Sequence, residues 1–157
     1  MNLKLTEVTA ALLAAIAADL GTFDLSATDA VQEGWYALPP ASAPFACVYL
    51  PSDAVESIPV ARERWFNVTA VYTVTAWAPF TAETSGNRQQ RASLLADEIK
   101  TAIETARRTA GNNLVKLTQM SVGAVDIQAG AESMEPGFPT ATFKIAVKFR
   151  RSAGVGA

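Results

Sequence analysis

Residues 64–80 read RWFNVTAVYTVTAWAPF. Every second residue from Phe66 gives Phe66, Val68, Ala70, Tyr72, Val74 and Ala76, and the intervening set is Trp65, Asn67, Thr69, Val71, Thr73, Thr75 and Trp77. Alternation sustained this long describes a β-strand with one apolar face and one face that is mostly small and polar. At about 3.3 Å per residue it spans about 40 Å, against about 17–20 Å for a usual strand. A chain with such a strand must build a sheet long enough to pair it, and must find a use for a threonine face.

A second strand has the same character. In TATFKIAVKFRR, residues 140–151, Phe143, Ile145, Val147 and Phe149 point one way, and Thr142, Lys144, Ala146, Lys148 and Arg150 point the other. Shorter strands are expected in WYAL (35–38) and FACVYL (45–50), on either side of the proline-rich PPASAP. A brief edge pairing is expected near residues 57–60, where Pro59 excludes a central strand. Residues 114–130 read as strand with a bulge or bend at Gly123. Residues 22–44 otherwise read as irregular.

Two helices complete the set. Leu5, Val8, Leu12, Ile16 and Leu20 recur at spacings of three and four, which predicts an amphipathic helix over 5–20, capped by Thr6, favoured at its positive end by Glu7 and ended by Gly21. From Arg88 to Ala110, Leu95, Ile99, Ala102, Ile103 and Ala106 form a second apolar stripe, with Arg107 and Arg108 at the negative end and GNN (111–113) as the stop. Strands mostly follow strands, so the expected fold is α+β: an antiparallel sheet, with a mixed one also open, and two helices packed on one face. Residues 1–151 are expected to form a single domain and 152–157 a flexible tail. The face carrying Thr69, Thr73, Thr75, Lys144 and Lys148 is then left uncovered by the chain itself.

Charge is graded along the chain. Residues 1–60 hold one base, Lys4, against seven acids; residues 61–135 balance; residues 136–157 hold Lys144, Lys148, Arg150 and Arg151 and no acid. A dipolar molecule of this kind can attract its own copies head to tail. No basic patch is large enough to make sequence-specific nucleic acid a leading partner. No apolar run approaches the ~20 residues of a membrane span. The alanine-rich start reads as helix and not as a signal peptide, because Glu7 stands where an apolar core should begin. The single cysteine, Cys47, reads as a small core residue of a protein made in a reducing compartment.

The residues for chemistry are scarce. The chain has no histidine, which removes the commonest general base and metal ligand. One cysteine cannot make a zinc site. DLSATD lacks the calcium-loop pattern, and GNRQQR lacks the second glycine and the Lys-Ser/Thr of a phosphate loop. The expectation is no catalytic, cofactor-binding or metal-binding site. Trp65 and Trp77 bracket the polar face of the long strand, and Arg62, Arg64, Arg88 and Arg91 lie near its ends. Trp and Arg are enriched at protein interfaces, although such tryptophans can equally cover sheet ends.

Taken together, the N-terminal amphipathic helix, the long strand closing in VYTVTAWAP, the polar turn before RQQRASLLADEIKTAI, and the final TATFKIAVKFRR strand after a Gly/Pro-rich connection resemble the tail terminator (tail completion) proteins of long-tailed bacteriophages. The resemblance lies in the order and texture of elements over most of the chain. It implies two helices on an antiparallel sheet and a structural role: a homo-oligomeric, hexameric ring that caps the tail tube, stops its growth and offers a surface to the head–tail connector protein. Partners would be other copies, the tail tube protein and the connector. DNA would have a path through the ring, and the location would be the virion tail or neck after assembly in the host bacterial cytoplasm. By position alone, Trp65, Trp77, Arg88, Arg91, Lys148, Arg150 and Arg151 are the candidate interface residues. A head–tail connector or tail tube subunit, and a small ligand- or peptide-binding module, remain the alternatives.

Overall fold

The computed structural model describes residues 3–34, 44–60, 64–78, 88–128 and 140–152. Two long strands form its axis. β4 (Trp65–Trp77) and β7 (Thr140–Ser152) run antiparallel, paired residue for residue over all thirteen positions from Trp65↔Ser152 to Trp77↔Thr140. The other strands flank this pair. β2 (Phe45–Tyr49) and β3 (Val55–Pro59) lie end to end along the outer side of β4. β5 (Gln119–Val122) and β6 (Asp126–Gln128) lie end to end along β7. Between them, Gly123 gives its N–H to the Lys144 carbonyl at 2.8 Å, and a Cβ there would sit 3.3 Å from that oxygen. The expected bend at Gly123 is therefore a close backbone approach.

The sheet is mixed. β1 (Val31–Glu33) pairs parallel with β2 at one edge, and every other pairing between strands is antiparallel. This strand falls within residues expected to be irregular; with three residues it is too short to show a period. The expected WYAL strand, the PPASAP loop and the 81–87 turn lie outside the described residues.

Both helices pack on the same face. α1 (Leu5–Ile16) buries Val8, Leu12 and Ile16, and α2 (Arg88–Arg108) buries Ala92, Leu95, Ala96, Ile99 and Ile103. These meet Val68, Ala70, Tyr72, Val74 and Ala76 of β4 and Phe143, Ile145, Val147 and Phe149 of β7 in one apolar cluster. The α+β fold with two helices on one side of a sheet is the expected one. A buried polar bond fixes α1 to the sheet: the hydroxyls of Thr9 and Tyr72 lie 2.7 Å apart, and Thr9 also donates to the Leu5 carbonyl at 3.1 Å. Burial raises the Tyr72 phenol above its ordinary value, and the Glu33 carboxylate adds to the rise.

Three local expectations need correction. Lys4, not Thr6, is the cap residue of α1, and Glu7 reaches back to accept the Lys4 N–H at 2.8 Å. The helix stops at Ile16, four residues short of Leu20, because tertiary contacts hold the next segment in a tight loop. There Leu25 N–H bonds the Ala18 carbonyl, Leu20 N–H bonds the Phe23 carbonyl, and Phe23 and Leu25 bury their side chains. Residues 113–116, expected to lie at the start of a strand, form a 3-10 turn, capped by the Asn112 side chain accepting from Leu114 N–H at 2.9 Å.

Candidate interface

The face of the sheet turned away from the helices carries the side chains that the alternation places opposite the core. Register sets them in rows. Tyr49, Thr73 and Lys144 form one, Glu56, Thr69, Lys148 and Gln119 a second, and Ile58, Asn67 and Arg150 a third. Lys144, Lys148 and Arg150 are exposed, with Thr69, Val71, Thr73 and Ala146 half-buried between them. Neither lysine has an ion-pair partner among the described residues. Two large apolar side chains also stand open here, Tyr49 at 37% and Ile58 at 53% exposure. Long cationic side chains and exposed aliphatic or aromatic groups on a firm sheet are a composition suited to protein contact.

The open area is smaller than expected. At the Trp77 end, Thr75 is 4% and Trp77 5% exposed, and Phe45, Cys47 and Trp77 form their own apolar cluster on this face. Here Phe45 stands directly opposite Trp77, with ring centroids 5.3 Å apart, and Cys47 opposite Thr75. The free face therefore runs from the Tyr49–Thr73–Lys144 row to the Trp65 end.

The candidate interface residues are not all on it. Lys148 and Arg150 are, both exposed, and Trp65 stands half-buried at its end, opposite Ser152. Trp77 is inside the cluster just described. Arg151 has the opposite parity; it turns to the helix side, where its guanidinium lies 5.1 Å from the centre of the Phe66 ring. Arg91, on α2, lies 4.9 Å from the centre of the Phe23 ring. Arg88 opens α2, and its side chain lies outside the described residues. Sequence reasoning missed Lys144 as a named candidate, together with Tyr49 and Ile58. Parity alone gives Lys144; the other two need the register of β2 and β3 against β4.

A second surface feature lies on the helix side. Between the C-terminal end of α1 and the middle of α2 is an open groove of about 510 Å³. Its lining includes the carboxylates of Asp19, Asp97 and Glu98 and small side chains such as Ala15, Ala18 and Ala102. Glu98 also fixes the loop after α1, since its Oε1 accepts from Thr22 N–H at 2.9 Å and Phe23 N–H at 3.2 Å. Its Oε2 is buried with no partner. Nearby, Asp24 is held below the usual carboxylate range by the hydroxyl and the N–H of Ser26.

Among the described residues no group of three His, Cys, Asp or Glu side chains is placed to hold a metal ion. No described helix is long and apolar enough to cross a membrane. The chain matches no protein-family model and no curated protein.

Proposed function

We propose that this chain is a non-enzymatic virion-assembly protein, a phage tail terminator that forms a ring, hexameric by the resemblance, on the end of the tail tube. One observation carries the reading. A strand pair thirteen residues long has both helices on one face, and on the other an open area of threonines, lysines and exposed Tyr49 and Ile58. The helices cover the inner face of both strands over most of their length, and the outer face from the Tyr49–Thr73–Lys144 row to Trp65 is left open. In the proposed role that surface meets a neighbouring copy or lines the bore, and the ring then presents itself to the tail tube protein and the connector.

The test is tube capping. The purified protein is added to tubes polymerised from the tail tube protein of the same phage. Rings at tube ends and a halt in tube growth are expected. Tubes that elongate unchanged, with no density at their ends, would refute the reading. A connector would bind the head-side assembly without limiting tube length, and a tube subunit would itself polymerise without limit. The groove between the helices favours a second reading, a small ligand- or peptide-binding module, since 510 Å³ falls within the usual range of ligand pockets. That reading requires a ligand that raises the melting temperature.

A further inference from the structure

One groove in the helix layer is acidic, and the far face of the sheet carries exposed lysines. On the helix side, Asp19, Asp97 and Glu98 line the groove, and no Lys or Arg is among the described residues lining it. On the far side of the sheet, Lys144 and Lys148 are exposed and without ion pairs among the described residues. We propose that the groove between α1 and α2 receives Lys144 and Lys148 of a second copy of this chain, so that the sheet face of one molecule packs on the helix layer of the next. This rests on the ring reading and deepens it by naming the two contact surfaces.

The chemistry of the groove fits lysine. Ala15, Ala18 and Ala102 offer an apolar floor for the aliphatic stem, and the carboxylates of Asp19 and Asp97, both exposed, offer partners for the ammonium head. Glu98 adds negative charge beneath them, its Oε1 engaged by the Thr22 and Phe23 N–H groups and its Oε2 buried. The carboxylates are grouped at the Asp97 end of the groove, so one ammonium head meets them and the other lies along Thr101, Thr105 and Thr109. Two lysines four residues apart on one strand face are about 13–14 Å apart. The part of α2 lining the groove runs from Asp97 to Ala106 and the lining continues to Asn112, so its helical length is at least about 13 Å. Because the two surfaces differ, the contact is heterologous, and repetition gives a closed ring or a filament.

The contact is also weak taken singly. From Trp65 to Thr73 the open face is about 27 Å long, and across β3, β4, β7 and β5 it is about 14 Å wide, or about 400 Å² in projection. A standard interface buries about 800 Å² per partner. A ring closes only because each copy makes the contact twice.

The experiment is a charge exchange. One variant carries Lys144→Glu and Lys148→Glu, the other Asp19→Lys and Asp97→Lys; all four side chains are exposed, and circular dichroism and melting verify the folds. Association is measured at low salt by sedimentation, and capping on tail tubes. Each variant alone is expected to associate at least about tenfold more weakly than the wild type and to lose capping. An equimolar mixture is expected to recover both, because alternating copies restore every complementary contact in an even-membered ring. Association of either variant at wild-type strength, a mixture that stays dissociated, or a wild type that is monomeric in both assays overturns the contact. Loss of capping by the groove variant alone assigns the groove to a cationic segment of another protein and also overturns it. Tube capping by wild-type protein with no response to the charge changes leaves the terminator reading standing, whereas absence of wild-type capping removes that reading.

Discussion

The proposed role depends on α1 staying against the inner face of the sheet, and a single hydroxyl pair in that layer gives a measurable handle. Thr9 has one hydroxyl proton, and its bond to the Leu5 carbonyl uses it. The proton in the 2.7 Å contact must therefore come from Tyr72. The two partners are then not equivalent. In Tyr72→Phe, Thr9 keeps its bond to Leu5 and only a net hydrogen bond is lost, about 0.5–1.5 kcal/mol. In Thr9→Val, the volume is kept but the phenol, with Tyr72 fully buried, becomes an unsatisfied donor, which costs about 1–3 kcal/mol. The double variant replaces both groups by apolar ones and is expected to be more stable than Thr9→Val alone. Urea denaturation of the four proteins closes the cycle; each kcal/mol corresponds to about 2–4 °C in melting temperature for a chain of this size. A Thr9→Val variant milder than Tyr72→Phe, or a double variant showing simple additivity, would refute the donor assignment.

Further perturbations separate the core from the surface. Tyr72 titrates above its ordinary value in the folded state, so the stability it contributes is complete below about pH 10 and is lost as pH rises through the folded value; Tyr72→Phe is expected to remove that part of the alkaline loss in a denaturation series. Trp77→Ala is expected to cost about 3–5 kcal/mol by emptying the cluster with Phe45 and Cys47, whereas Trp65→Ala costs less and shows mainly in association. Arg151→Glu removes a cation from the Phe66 ring on the helix side and is expected to lower stability by about 0.5–2 kcal/mol, while Lys148→Glu stays within about 0.5 kcal/mol; equal effects in thermal melts would contradict the parity of β7.

The period-2 pattern was enough to assign faces along β4 and β7, because both strands are long and buried on one side only. Val68 to Val74 and Phe143 to Phe149 bury in strict alternation, which ends at Thr75, buried on the other face. α2 was equally legible from its stripe. The sequence could not show β1, too short to carry a period, or the early end of α1, which depends on Glu98 holding the N–H groups of Thr22 and Phe23 from about 75 residues away. The candidate site was half legible for the same reason. Lys148 and Arg150 follow from parity, and so does the exclusion of Arg151, which shares its face with Phe149. The contact of Trp77 with Phe45 needed the register of β2 against β4, and the groove needed Asp19, in the loop after α1, and Asp97, on α2, to line one cavity.

The chemistry of the open face bears on when such a protein would assemble. A face of this shape made of leucine and phenylalanine would associate at once and without limit. Here Thr69 and Thr73 occupy its centre, lysines and an arginine stand along β7, and the exposed apolar groups Tyr49 and Ile58 sit apart on β2 and β3. With about 400 Å² of projected contact, copies free in solution hold together only weakly. Copies brought side by side on a tube end gain from effective concentration and from closure, without any new contact. On the proposed reading, a weak single contact keeps the free protein available until a finished tube presents a template. Raising salt should therefore dissolve free oligomers well before it strips rings from tubes, since screening acts on a contact made once in the first case and on a closed set in the second. Electron microscopy of capped tubes over a salt series, beside sedimentation of the free protein, measures the two midpoints. Coincident midpoints would show that the tube contributes nothing to closure and would remove this account of timing.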